Sequence, residues 1–85
     1  MKSIKYFYAD WCRHCKKAKK LMDTLNTEHG IFVEYVNVDV DSIKAHKYSV
    51  RSVPTCIVEV DGQEATRWIG NSKSLTEILT LTESL

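Results

Sequence analysis

The chain is poor in several things, and each shortage narrows what it can be. Its 85 residues include one proline, Pro54, and three glycines, which excludes collagen-like chains and Gly/Pro-rich low-complexity linkers. No apolar run approaches the roughly 20 residues that span a bilayer, so no membrane is expected. Neither sign of charge dominates: 12 Lys and Arg face 11 Asp and Glu, for a formal charge of +1. That leaves no global field of the kind that draws nucleic acid. The cysteines number three, and an odd count argues against a secreted disulfide framework. Met1-Lys2-Ser3-Ile4 enters a strand pattern with no apolar signal segment ahead of it, so the expected location is cytoplasmic.

What is present suits one small domain over residues 1–85, with 44% hydrophobic residues, enough for one core between a sheet and a few helices. Ile4, Tyr6, Phe7 and Tyr8 mark a buried central strand over residues 3–8. From Cys12 to His29, the residues Ala18, Leu21, Met22 and Leu25 recur at helical spacing, and Gly30 stands where a glycine cap would end the helix. The β-branched and aromatic run from Ile31 to Val38 predicts a second strand, parallel to the first in a right-handed βαβ unit. Asp41 or Ser42 can cap a short helix through Tyr48. A third strand over Cys56–Val60 turns at Asp61-Gly62 into a fourth, ending near Ile69 and closed by Gly70. Ser74-Leu75-Thr76-Glu77 has the form of a capping box opening a last helix with Leu75, Ile78 and Leu79 on one face. The expected order is β-α-β-α-β-β-α. In it the first and third strands can be neighbours, with the start of the third near the end of the first.

The chemistry gathers at Tyr8-Ala9-Asp10-Trp11-Cys12-Arg13-His14-Cys15-Lys16. A strand runs into two cysteines just where a helix begins, placing Cys12 at a helix N-terminus. Free N–H groups and the helix dipole favour an anion there, and the thiolate is the form that attacks disulfides. Cys15 lies one turn on, on nearly the same face, and can close back onto Cys12. The arrangement reads as a redox dithiol. Half of a zinc site is an alternative, but Cys56, His14, His29 and His46 repeat no paired spacing. Inert core cysteines are another. Haem attachment needs a histidine after the second cysteine, where Lys16 stands. Lys16, Lys17, Lys19 and Lys20 form a solvated helix face, or a local field that holds a thiolate or recruits acidic partners. Cys56 reads as a buried inert thiol, His29 and His46 as surface residues, and Trp68 as a packing residue.

Taken together, Phe7, Ala9, Trp11-Cys12-x-x-Cys15-Lys16, the segment Lys47 to Thr55 around Pro54, Asp61-Gly62 and Gly70 resemble the thioredoxin family. The match covers about residues 4–82, in a compact form lacking the family's additional N-terminal strand and helix. The resemblance implies an α/β thioredoxin fold, with a four-stranded mixed sheet flanked by three helices. It implies a thiol–disulfide oxidoreductase that reduces protein disulfides, with Cys12 and Cys15 catalytic and no bound metal or organic cofactor beyond a redox-active Cys12–Cys15 disulfide. Val53–Pro54 would be a cis peptide facing the dithiol. Trp11, Val53, Pro54 and Gly70 would carry the substrate peptide by backbone pairing. A monomer is expected, supplied with electrons by a thioredoxin-reductase-type enzyme or by glutathione.

Three departures qualify the resemblance. The family's buried aspartate and its lysine partner are replaced by Tyr6 and Tyr35, leaving Asp10, the Tyr6 hydroxyl or water to handle the proton of Cys15. Arg13-His14 replaces Gly-Pro and resembles protein disulfide isomerases and bacterial disulfide oxidases. A cation beside Cys12 stabilises the thiolate and makes the disulfide more oxidising. The length also fits glutaredoxins, but Gly70-Asn71-Ser72-Lys73 lacks the acidic residue their glutathione site carries. A glutathione-coupled enzyme, or a non-catalytic binding module with redox-switched thiols, are the alternative readings.

Overall fold

A computed structural model describes residues 1–85. The elements are β1 (Lys2–Tyr8), α1 (Arg13–Glu28), β2 (Phe32–Asn37), α2 (Ser42–Lys47), β3 (Thr55–Val60), β4 (Gln63–Ile69) and α3 (Leu75–Glu83), in the order expected. One sheet holds all four strands in the order β2-β1-β3-β4. β1 runs parallel to β2 and antiparallel to β3, and β3 pairs antiparallel with β4, so the sheet is mixed. Phe7 lies opposite Thr55, which brings the start of β3 beside the end of β1.

The local signals explain where the elements stop. Gly30 adopts a φ of +65° after α1, and the chain reverses so that the Ile31 N–H donates to the Leu25 carbonyl at 3.1 Å. That left-handed conformation suits a residue without Cβ. Asp61 (φ 53°) and Gly62 (φ 84°) form the β3–β4 hairpin with both central residues left-handed, as a type I′ turn requires. Asp41 caps α2 through the Lys44 N–H, and the Ser74/Glu77 capping box closes in both directions.

The core divides in two, where composition suggested one. Ile4, Tyr6, Cys56 and Val58 pack with α1 and with Ile78 of α3 on one face of the sheet. On the other face Phe7, Val36 and Ile57 pack against Ala45 of α2. β3 is covered on both sides and is buried nearly end to end. Two further features follow from geometry. Trp68 packs against the larger cluster while Ile69 is exposed, because adjacent strand residues point to opposite faces. In α3, Thr82 joins Ile78 in the interior, its hydroxyl satisfied by the Leu79 carbonyl at 3.0 Å.

Candidate active site

β1 ends at Tyr8, and the turn that follows is held by the Cys12 N–H donating to the Ala9 carbonyl at 3.1 Å. Cys12 is thereby the N-cap of α1, and its Sγ accepts from the Cys15 N–H at 3.2 Å. The two cysteines form a disulfide across 5.2 Å between Cα atoms. Cys12 is 5% exposed and Cys15 is 3% exposed, so the disulfide lies almost wholly below the surface. Arg13 and His14, the first two residues of α1, point into solvent.

The loop before β3 leads in beside the end of β1, where Phe7 lies opposite Thr55. The Val53–Pro54 peptide is cis, Pro54 is buried, and the Thr55 hydroxyl donates to the Ser52 carbonyl at 2.7 Å. The Gly70 N–H donates to the Pro54 carbonyl at 2.9 Å, tying the end of β4 to this loop. Trp11 is 72% exposed, an unusual state for a large aromatic residue. It is oriented by its Nε1–H, which donates to Asp39 Oδ2 at 2.9 Å. Trp11, Val38, Val50 and Val53 line an open groove of about 140 Å³ with Arg51 and Ser52. Trp11 and Val53 therefore share one groove, while Pro54 and Gly70 are hydrogen-bonded to each other and do not line it.

Asp39 carries no signal of its own in the sequence. Its role depends on β1 and β2 being parallel, which brings both strand ends to the same edge of the sheet. The Tyr6–Tyr35 substitution is clearer in three dimensions. These residues lie directly opposite each other on β1 and β2, with their rings edge to face at 5.8 Å between centroids. The Tyr6 hydroxyl donates to the Cys15 backbone carbonyl. Burial raises its pKa above the ordinary phenol value. The hydroxyl's proton is thereby directed at the backbone carbonyl of Cys15 and away from its sulfur. Beside it, Tyr6, Tyr8, Asp10, Cys15, Lys16 and Lys19 line a second open cavity of about 240 Å³ with Ala9. Asp10 and Cys15 thus share one solvent-facing space.

Cys56 is fully buried on β3, and burial pushes its thiol up to about 12. It faces Tyr6 on β1 and Trp68 on β4 and forms no disulfide. No three His, Cys, Asp or Glu side chains converge as metal ligands would. His29 and His46 lie on the surface. No helix is long and apolar enough to cross a membrane.

Comparison with known proteins agrees with this geometry. A sequence model of the Thioredoxin family matches residues 2–82. The thioredoxin of Chlamydia caviae is 35% identical over 65 residues, covering 75% of this chain and 64% of that protein. The thioredoxin of Bacillus subtilis is 36% identical over 66 residues, with the same two coverages of 75% and 64%. The matched region thus spans less than two thirds of the length of these relatives. Among solved structures, a mutant thioredoxin from Halobacterium salinarum superposes with a TM-score of 0.90 at 30% identity, covering 98% of this chain and 73% of the other. A malaria parasite thioredoxin-2 gives a TM-score of 0.92 at 28% identity, covering 100% and 84%. A helix capped by one cysteine of a Cys-x-x-Cys disulfide, a cis-proline loop whose Val53 shares a groove with Trp11, and these matches place the chain in the thioredoxin family.

Proposed function

We propose that this chain is a thiol–disulfide oxidoreductase that reduces protein disulfides, acting as one cytoplasmic, monomeric domain. The observation that carries the reading is the Cys12–Cys15 disulfide at the N-terminus of α1, joining the capping residue to the residue one turn inside. In the reduced protein, the Cys12 thiolate attacks one sulfur of a substrate disulfide. The substrate's sulfur–sulfur bond breaks, a mixed disulfide forms, and one substrate thiol leaves. The Cys15 thiolate then attacks Cys12 Sγ, releasing the second substrate thiol and leaving Cys12–Cys15 oxidised. Two electrons pass to the substrate, and a thioredoxin-reductase-type enzyme or glutathione returns them. No bound cofactor takes part.

Trp11, Val53, Pro54 and Gly70 form the platform on which the substrate segment lies, with the Val53 backbone available for pairing. Arg13 and His14 place cationic character beside Cys12 and favour the thiolate, hence the reduced state. The Cys15 proton leaves through the cavity that Cys15 shares with Asp10, Tyr6 being already committed.

Titration against dithiol and glutathione buffers tests this, with tryptophan fluorescence and thiol trapping by mass as readouts. The expected result is a reversible two-electron transition above thioredoxin's roughly −270 mV and below the strong oxidases' roughly −120 mV. Replacing Arg13 and His14 by Gly and Pro should lower it by tens of millivolts. Cys12→Ser should abolish turnover, whereas Cys15→Ser should accumulate the mixed disulfide. Absence of any reversible Cys12–Cys15 transition would sink the proposal.

A further inference from the structure

Charges on a helix normally follow its dipole, acids in the first turn and bases in the last. Two of the three helices follow this at one end each. α2 carries Lys44, His46 and Lys47 in its last turn, and α3 carries Glu77 in its first. α1 does the reverse, with no acid in its first turn and no base in its last. Arg13, Lys16, Lys17 and Lys20 instead crowd its N-terminal half, at spacings i, i+3, i+4 and i+7 that put them on one face.

That face is turned away from the core, since the buried positions of α1 are Cys15, Ala18, Met22 and Leu25. All four cations are exposed. The ion pairs of the molecule include none of them; within the basic run only Lys19 is neutralised, by Asp23 at 2.9 Å. The stripe starts at the residue next to Cys12 and runs roughly 10 Å along α1, at about 1.5 Å per residue. Repulsion among the cations and with the helix dipole costs stability, and no ion pair within the fold offsets it.

We infer that this stripe is an electrostatic docking surface for a protein partner whose disulfide is flanked by acidic residues. The inference rests on the oxidoreductase reading and adds the charge of the partner to it. An acidic surface settling along α1 brings its disulfide toward Cys12. Such fields act on encounter rates, raising them roughly 10- to 1,000-fold, and are screened by salt. Nucleic acid would meet the same cations but has no disulfide to offer to Cys12, the residue beside which the stripe begins.

The test uses three disulfide-bonded peptides of identical core sequence, flanked by glutamates, serines or lysines, and the reduced full chain. At low ionic strength the glutamate peptide should be reduced about tenfold faster than the serine peptide, with the lysine peptide slowest. At about 1 M salt, where the screening length is roughly 3 Å, the three rates should converge. In Lys16→Gln/Lys17→Gln/Lys20→Gln, which keeps only Arg13 of the stripe, the preference should fall several-fold at low salt, and the variant should melt no lower than the parent because the dipole conflict is relieved. The serine peptide controls for any change in Cys12 reactivity, since all three peptides share the same chemistry. Equal rates in the parent, or a glutamate preference undiminished in the variant, would overturn the inference. Tight binding of a short DNA duplex in place of any peptide preference would assign the stripe to nucleic acid and overturn it too. Failure to reduce any peptide would instead remove the oxidoreductase reading, and this inference with it.

Discussion

Tyr6 occupies the position from which an ionisable acid could have served Cys15, and its environment commits it to a different task. It is almost wholly buried, stacked on Tyr8 at 5.5 Å between ring centroids, and its hydroxyl donates to the Cys15 carbonyl. It therefore pins the first turn of α1 to the sheet. Tyr6→Phe removes one buried hydrogen bond and is expected to cost about 1 kcal/mol in denaturant unfolding. The rate at which Cys15 resolves a mixed disulfide should change little, since the hydroxyl takes no proton. A hundredfold slower resolving step in stopped-flow would show that the hydroxyl handles the proton after all. Lys5 is a second residue whose situation depends on its surroundings. It forms an ion pair with Glu59 of β3, a carboxylate whose side chain is 7% exposed, and lies 3.7 Å from Glu34. Burial opposes the charged lysine, but the Glu59 hydrogen bond and neighbouring charges outweigh it and hold its pKa above the ordinary value.

Among the elements, the exit from α2 is the least comfortable. Ser49 sits at φ 57° with its N–H donating to the His46 carbonyl at 3.0 Å, while the Val50 N–H returns to Ala45 at 2.9 Å. A side chain in the left-handed region costs roughly 1–2 kcal/mol, and glycine avoids most of that while adding freedom to the unfolded chain. Ser49→Gly is therefore expected to stabilise the fold by about 0.5 kcal/mol, seen as a rise of a few degrees in Tm for a domain of this size. A fall in Tm would mean that the Ser49 side chain contributes more than its backbone strain costs. The neighbouring loop runs from Val50 to the buried Pro54 and carries Val53, so the end of α2 bears on how the groove wall is presented.

At the scale of the molecule, stability should have a plateau with two shoulders. Hydrogen bonds and ion pairs hold several carboxylates below their ordinary pKa: Asp23 through Tyr35 and Lys19, Glu34 through Lys44 and Lys5, and Glu64 through Arg67. Each contributes stability that is present above the unfolded-state value of about 4 and lost as pH falls through the folded one. At the other end, Cys56 is raised to about 12 by burial, and Tyr35 to about 12 by burial and its hydrogen bond to Asp23. The unfolded chain releases these protons at lower pH than the folded one, so stability falls as pH rises from about 9. Thermal melts across pH should show a maximum between roughly 5 and 8.5, and a Tm still rising at pH 10 would contradict this.

How much of this was legible in the chain depends on the range of the interaction. Element order, the Gly30 exit, the Asp61-Gly62 hairpin, the Ser74/Glu77 box and the Cys12 cap are local, each set by a few consecutive residues acting through backbone conformation or nearby hydrogen bonds. Neighbouring residues were enough to dictate these, together with the apolar positions that would face inward, because periodicity is a property of neighbours. Whatever lies across a strand pair or between faces had to wait for the folded chain. Asp39 orienting Trp11, Glu59 burying its charge against Lys5, Tyr6 held to Cys15, and four of the cations of α1 left without acids are all of this kind. Hydrogen bonds and ion pairs act over a few ångströms. Only the folding of the sheet brings residues tens of positions apart within that reach.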